Sequence, residues 1–259
     1  MNQLSSPIRQ LFIGAIAALC FSAAHASEIT YRVGATPTGA PFTFLDIKSN
    51  SIQGVMVDVA NALGKVEGFD CVFEQTGFSA LIPSLTSRKI DFISASMLKT
   101  EERSKIVDFT DPVYAFGEGL IVRNDDSSAY PDLASLKGEV VGVQAGTTFY
   151  DIVKGAGEFK EVRIYDSVGE MILDLSLGRI KAGVVDEPEL AYQIRKGLVR
   201  DVKLAKDYRP AKIFDLSLVV RKGDAETVKS LNKAIASIKA DGTLEAILKK
   251  WGLDSQVTP

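Results

Sequence analysis

Histidine and cysteine are almost missing from this sequence of 259 residues, which holds one of the first and two of the second. The shortage deepens on a closer reading, because His25 and Cys20 lie in a stretch that reads as a removable leader. Arg9 supplies a positive start, Leu11 to Phe21 is an apolar run, and Ala24-His25-Ala26 is an A-x-A cleavage signal. The run is too short for a membrane span, which needs about 20 apolar residues. A lipid-modified Cys20 fits less well, since bulky Leu19 stands where a small residue should precede it. Residues 1–26 are therefore expected to be a cleaved signal peptide, with export and a mature chain starting at Ser27.

Each absence excludes a chemistry. The mature chain keeps Cys71 alone, so no intrachain disulfide can form. Histidine-based triads and the usual His/Cys zinc sites are excluded with it, and neither metal nor cofactor is expected. Cys71 sits in the alternating run C-V-F-E and reads as a buried strand residue. An excess of basic charge is lacking too. With 30 Lys+Arg against 33 Asp+Glu and a net charge of −3, nothing marks a nucleic-acid partner. No stretch after the leader is long and apolar enough to cross a membrane.

What remains is an ordinary globular mixture, 46% hydrophobic and 24% charged. The length suits one large domain or two of about 100–130 residues. Thr30 to Ala35 reads as a first strand, and Thr36 to Pro41 as a loop with two prolines and a glycine. Ile52 to Leu63 has helical spacing of Val55, Val59 and Leu63, with Gly64 as a stop. Asp70 to Gln75 is a strand, Ser79 to Arg88 a helix, and Ile90 to Ala95 a short buried strand. The order is βαβαβα, an α/β pattern with a mainly parallel sheet. Such sheets bind ligands beyond the carboxyl ends of their strands. The stretches 36–41, Gly77-Phe78 and 94–100 all fall at those ends.

The last of these carries the densest chemistry. Thr100 is placed to cap a helix, Glu101 and Glu102 occupy its first turn, and Arg103 follows. Hydroxyls, free amides and a guanidinium together suit a carboxylate. The local spacing fits a plain cap and a solvated arginine equally well.

After Gly117 to Arg123, an apolar strand, the polar run from Asn124 to Pro131 opens a second unit. Glu139 to Gln144 reads as a strand, and Ala145-Gly146-Thr147-Thr148 as the turn into a helix starting at Phe149. That turn offers amides and two hydroxyls to an anion or polar group, or is a simple cap. It is no phosphate loop, because no Gly-Lys-Ser/Thr follows. Asp186 ends the strand Ala182 to Val185, where it could meet an ammonium or cap the helix Glu189 to Arg195. Ile213 to Arg221 reads as a strand, Ala225 to Ala240 as an amphipathic helix ended by Asp241-Gly242, and Thr243 to Trp251 as a last helix.

Five stretches carry a family resemblance, in order: V-G-A-T-P-T-G-A-P-F, S-M-L-K-T-E-E-R-S-K-I-V-D-F-T-D-P-V-Y, V-G-V-Q-A-G-T-T, G-R-I-K-A-G-V-V-D and A-D-G-T-L-E-A-I-L-K-K-W-G. The chain resembles the periplasmic amino-acid-binding proteins of ABC importers, solute-binding protein family 3. The resemblance implies a two-lobed periplasmic-binding-protein-like fold of type II, each lobe a mainly parallel sheet flanked by helices. Two hinge strands would join the lobes, near Ala115 to Glu118 and Lys212 to Asp215. Lobe 1 would comprise 27–116 and 215–259, and lobe 2 117–214. The implied function is capture of an amino acid or related carboxylate by hinge closure in the periplasm, by a monomer that delivers it to a membrane permease.

Carried over residue by residue, the resemblance implies that Arg103 clamps the ligand's α-carboxylate. Ser96 would help through backbone or hydroxyl, Met97 and Leu98 through backbone, and Thr148 from the second lobe with Thr147 beside it. Asp186 would take the α-ammonium, and Phe78 would pack on the ligand side chain. Phe42 reads as core or pocket, core being favoured. The sequence departs from the family at Leu98, where a hydroxyl is common, and at Thr36 and Gly39, where an acid or an aromatic often stands. Thr36 in place of an acid argues against a basic ligand, and Gly39 leaves room.

A rival of another class is an enzyme on the same fold, resembling cyclohexadienyl dehydratases. It would need a carboxyl as general acid, with Glu118 and Glu187 as the candidates. A sensor domain of a larger receptor would carry a membrane span, and none is expected before Pro259.

Overall fold

The computed structural model describes residues 29–253, so the leader reading lies outside the described residues. The chain runs through β1 (Ile29–Ala35), β2 (Thr38–Gly39), β3 (Thr43–Asp46), β4 (Ser51–Gln53), α1 (Val55–Glu67), β5 (Phe69–Gln75), α2 (Leu81–Thr86), β6 (Phe92–Ile93), α3 (Glu101–Ser104) and β7 (Val107–Phe109). It continues through β8 (Tyr114–Arg123), β9 (Val140–Gln144), α4 (Thr148–Ala156), β10 (Glu161–Tyr165), α5 (Val168–Ser176), β11 (Ala182–Asp186), α6 (Glu187–Arg195) and β12 (Val202–Leu204). It returns through β13 (Ile213–Leu216), β14 (Val219–Arg221), α7 (Ala225–Ala240) and α8 (Thr243–Lys250).

These elements form two larger sheets. One has the order β5-β1-β6-β14-β7, the other β10-β9-β11-β8-β12, with β13 on β8 and a small hairpin sheet β2-β3-β4 beside them. The expected parallel character holds for β5, β1 and β6, and for β10, β9 and β11. The returning strands β14 and β8 then pair antiparallel with their neighbours. β8 and β13 connect the two halves side by side, with Gly117 opposite Ile213 and Tyr114 opposite Leu216. The single strand read over Ile213 to Arg221 is therefore two strands. Ser217 and Leu218 carry the chain from the second sheet to the first.

Helix α1 shows why these boundaries fall where they do. Val55, Val59 and Leu63 recur at i, i+4 and i+8 and are fully buried. The helix starts later than its apolar pattern suggests, since Ile52 belongs to β4. Gly54 fixes the start: its φ is 135°, and a Cβ there would lie 2.3 Å from the Phe42 carbonyl oxygen. The end comes at Gly68, in the left-handed region, whose N–H reaches the Gly64 oxygen at 2.8 Å. Gly64 is small for another reason, the close approach of Phe69.

Both chain ends build the first half. α8 and its neighbour Trp251 grip α1: Trp251 Nε1 and Lys250 Nζ each donate to Asp58 at 2.7 Å. Phe42 is wholly buried and stacks on Phe116 at 5.3 Å, tying the first loop to the β8 crossing. Cys71 is half-buried rather than buried, in β5 opposite Tyr31. Burial pushes its thiol up to about 12, with Asp70 adding to the effect.

Candidate functional site

The ends of strands from both halves meet around one narrow cavity, of about 30 Å³, that opens toward solvent. Its walls include Thr36, Phe78, Ser96, Leu98, Arg103, Thr147, Thr148 and Asp186, all read from the sequence. Met97 is different. It is buried in the core beside Ile93 and Val219, and its N–H bonds the Ala95 oxygen at 2.8 Å.

Arg103 enters from α3. Thr100 caps this helix as its spacing suggests, its hydroxyl accepting from the Arg103 N–H at 3.1 Å. The helix is only four residues long, so the guanidinium, not a row of free amides, is the chemical feature here. Arg103 Nη1 donates to the Leu98 oxygen at 2.5 Å, and Nη2 donates across the cavity to the Gly146 oxygen at 2.8 Å. The guanidinium also lies 5.8 Å from the Phe78 ring centre. Burial pushes its pKa down to about 10 against the pull of Asp186 and Asp151, so it stays charged near neutrality.

Gly146 lets the second half come this close. Its φ is 74°, and a Cβ would stand 3.0 Å from the Ser79 Cα of the first half. Beyond it, Thr147 turns its hydroxyl back onto the Gln144 oxygen at 2.8 Å and holds the loop. Thr148, the first residue of α4, is buried, and its hydroxyl has no hydrogen-bond partner among the described residues. A buried orphan of this kind at a helix start, in a cavity that the Arg103 guanidinium also lines, is suited to an anionic oxygen.

Asp186 precedes α6 but makes no capping bond with it. Its carboxylate instead receives the Ser96 hydroxyl at 2.5 Å, across the two halves. Burial pushes its pKa up to about 7, with the Ser96 bond and Arg103 opposing. One turn further lies Glu189, which the sequence reading passed over as a helix residue. It is 5% exposed and lines the same cavity. Burial first, and the Asp186 charge second, hold its carboxyl well above the usual range. Gln193 Nε2 donates to Glu189 Oε1 at 3.0 Å and to the Ala40 oxygen at 3.2 Å. The signal for both was present: Asp186, Glu189 and Gln193 are spaced by three and four, which places them along one helix face.

On the opposite wall Thr36 is locked to Thr43, hydroxyl to hydroxyl, at 2.7 Å. Gly39 faces Glu189, and a Cβ there would lie 3.4 Å from Glu189 Oε2. The room left by Gly39 is thus bordered by an acid from the other half. Glu118 and Glu187 line a different groove, behind the crossing strands. Glu118 Oε1 accepts from Tyr208 at 3.0 Å and from the Ala211 N–H at 2.5 Å. Among the described residues no cluster of His, Cys, Asp and Glu could hold a metal, and no helix is long and apolar enough to cross a membrane.

This arrangement of halves, crossings and cleft coincides with a match over residues 31–254 to the model of the bacterial extracellular solute-binding proteins, family 3. The chain belongs to that family. A histidine-binding periplasmic protein of Salmonella typhimurium is 35% identical, the alignment covering 94% of this chain and 97% of that one. Among solved structures, an ancestral arginine-binding protein bound to arginine superposes with a TM-score of 0.78 at 35% identity, over 87% of this chain and 99% of that one. An ancestral amino acid-binding protein described as a precursor of cyclohexadienyl dehydratase gives 0.78 at 31% identity, over 86% and 95%. The fold of the family is that of two-lobed periplasmic binding proteins, and the two sheets and paired crossings of this chain have that form.

Proposed function

We propose that this protein captures an amino acid in the periplasm between its two lobes and delivers it to a membrane ABC permease. The observation that carries this reading is the Thr148 hydroxyl, buried without a partner among the described residues in the cavity that Arg103 and Asp186 also line. An α-amino acid supplies what the cavity calls for. Its carboxylate would accept from Thr148 and from Arg103 N–H groups not engaged by Leu98 and Gly146. Its ammonium would meet Asp186, oriented by Ser96. Phe78, Thr36 and Leu98 would form walls for the side chain, while Thr147 and Met97 hold the loops that carry them. Lobe 1 would span 27–116 and 215–259, lobe 2 117–214, closing as a monomer about β8 and β13. The relatives that bind histidine and arginine support an amino acid as the guest.

A second reading has one observation behind it. Burial, with the Asp186 charge adding to it, raises the Glu189 carboxyl well above its usual range beside a carboxylate clamp, and acid-catalysed dehydration calls for such a proton donor. Glu118 and Glu187 no longer serve that reading, since they line the other groove.

A thermal-shift titration of the mature protein with single L-amino acids and with prephenate separates the two. A ligand at 100 times its Kd stabilises by about 2.7 kcal/mol. The expected result is a shift with an L-amino acid that Arg103→Ala abolishes, with prephenate unchanged in the same tube. Consumption of prephenate without any amino-acid shift would replace the transport reading by the enzymatic one.

A further inference from the structure

Building on the amino-acid reading of the cavity, we propose that Glu189 forms a second acidic subsite, which takes a cationic group on the ligand's side chain, and that binding such a ligand expels a proton from the Asp186–Glu189 pair.

Charge balance in this buried space singles out Glu189. Arg103 and a ligand carboxylate neutralise each other, and so do Asp186 and a ligand ammonium. Glu189 is the acid left over. It is 5% exposed, and its Oε1 is satisfied by Gln193 at 3.0 Å. Its Oε2 lies toward Gly39 on the first-lobe wall of the cavity, 3.4 Å from where a Cβ at that glycine would stand. The groups around it offer no cation. Thr36, Thr38 and Gly39 face it from the first lobe, Gln193 from its own helix, and Val168 from α5. The charge that acts on it is Asp186, of the same sign, while Arg103, the cation lining the cavity, is drawn to Asp186 and Asp151. Glu118, opposite Asp186 in the β8–β11 pairing, is turned to Tyr208 and Ala211.

An uncompensated buried carboxylate is costly, so Glu189 holds a proton until a positive partner arrives. A ligand with a neutral side chain leaves that proton in place. A guanidinium or ammonium at the end of a side chain pairs with the ionised form, and the proton must leave. The first-lobe wall brings Thr36, Thr38 and Gly39 to the cavity and no acid, and Glu189 supplies one from the second lobe.

The test is calorimetry of the mature protein with L-arginine, L-lysine and L-glutamine, at pH 7 in phosphate and in Tris, whose ionisation enthalpies differ. For wild type, a cationic ligand should bind more than about tenfold tighter than L-glutamine. Its apparent enthalpy should differ between buffers by an amount equivalent to release of up to about one proton more than L-glutamine releases. Its affinity should fall more steeply than that of L-glutamine as pH drops from 7 to 6. Glu189→Gln should keep L-glutamine binding and a melting temperature no lower than wild type, yet lose both the preference and the excess proton release of the cationic ligand over L-glutamine. Retention of the preference by Glu189→Gln, or tighter binding of L-glutamine by wild type, would overturn the subsite while leaving the amino-acid reading intact. No binding of any L-amino acid would overturn both. Prephenate turnover lost in Glu189→Gln would reassign Glu189 as a general acid.

Discussion

At the scale of single residues, Asp186 reverses the pH dependence of the fold's ion-paired acids. Asp126 is one of these: against the effect of burial, Lys181 at 2.7 Å, with Tyr130 and Ser128, holds its carboxyl below the usual range. Such groups stabilise the fold above their unfolded pKa, and that stability is lost as pH falls through the folded one. Asp186 is raised to about 7. Between its unfolded value near 4 and that figure, the native state holds more protons than the unfolded state, so stability declines as pH rises through the interval. Asp186→Asn should therefore raise the melting temperature of the ligand-free protein at pH 8 and change it little at pH 4.5. A gain of 1 kcal/mol corresponds to about 2–4 °C in a chain of this size. Differential scanning calorimetry at the two pH values measures it, and an equal or lower melting temperature at pH 8 would refute it. The same substitution should destroy binding, so the site costs the free protein stability at the pH where Asp186 is ionised and able to pair with an ammonium.

At the scale of elements, the boundaries obey contacts more often than local pattern. Gly54 is the sharpest case, since its positive φ and the Phe42 oxygen leave no space for a side chain. Gly54→Ala should cost about 2 kcal/mol or more in urea unfolding at pH 7; a cost below 0.5 kcal/mol would show that β4 and α1 shift freely. This contact also explains which elements were legible in the sequence. The Thr100 cap and the span Ala225 to Ala240 were readable because their causes are local: hydroxyl to amide in one, apolar spacing between Asp224 and Gly242 in the other. The start of α1 and the break at Ser217 were not, because each depends on chain that is remote in sequence. Among the cavity residues, Arg103, Thr148 and Asp186 stand in recognisable runs. Glu189 was hidden because an acid in a first helical turn is commonplace, and only the packing of α6 against Gly39 makes it part of a site. Met97 lay in the right motif, and its side chain is packed in the core, outside any strand.

At the scale of the whole molecule, the two lobes meet through a few polar contacts that lie at different distances from the cavity. Arg103 and Gln193 bridge the lobes inside it. Arg195 does so outside it, donating to the Gly252 oxygen at 3.0 Å. Arg195→Ala should weaken the closed arrangement without touching the cavity, lowering affinity by about two- to fivefold through faster release. Stopped-flow dissociation tests this, and an unchanged off-rate would show that the contact is idle. Motion between the lobes could also be followed optically, owing to the thiol in β5. Maleimides react with thiolate, and Cys71, the only cysteine among the described residues, is held at a pKa of about 12. A cysteine engineered on the exposed rim of either lobe would take up a dye at neutral pH far faster than Cys71. The natural thiol can stay in place, and the chain becomes a scaffold for a fluorescent reporter of its own ligand.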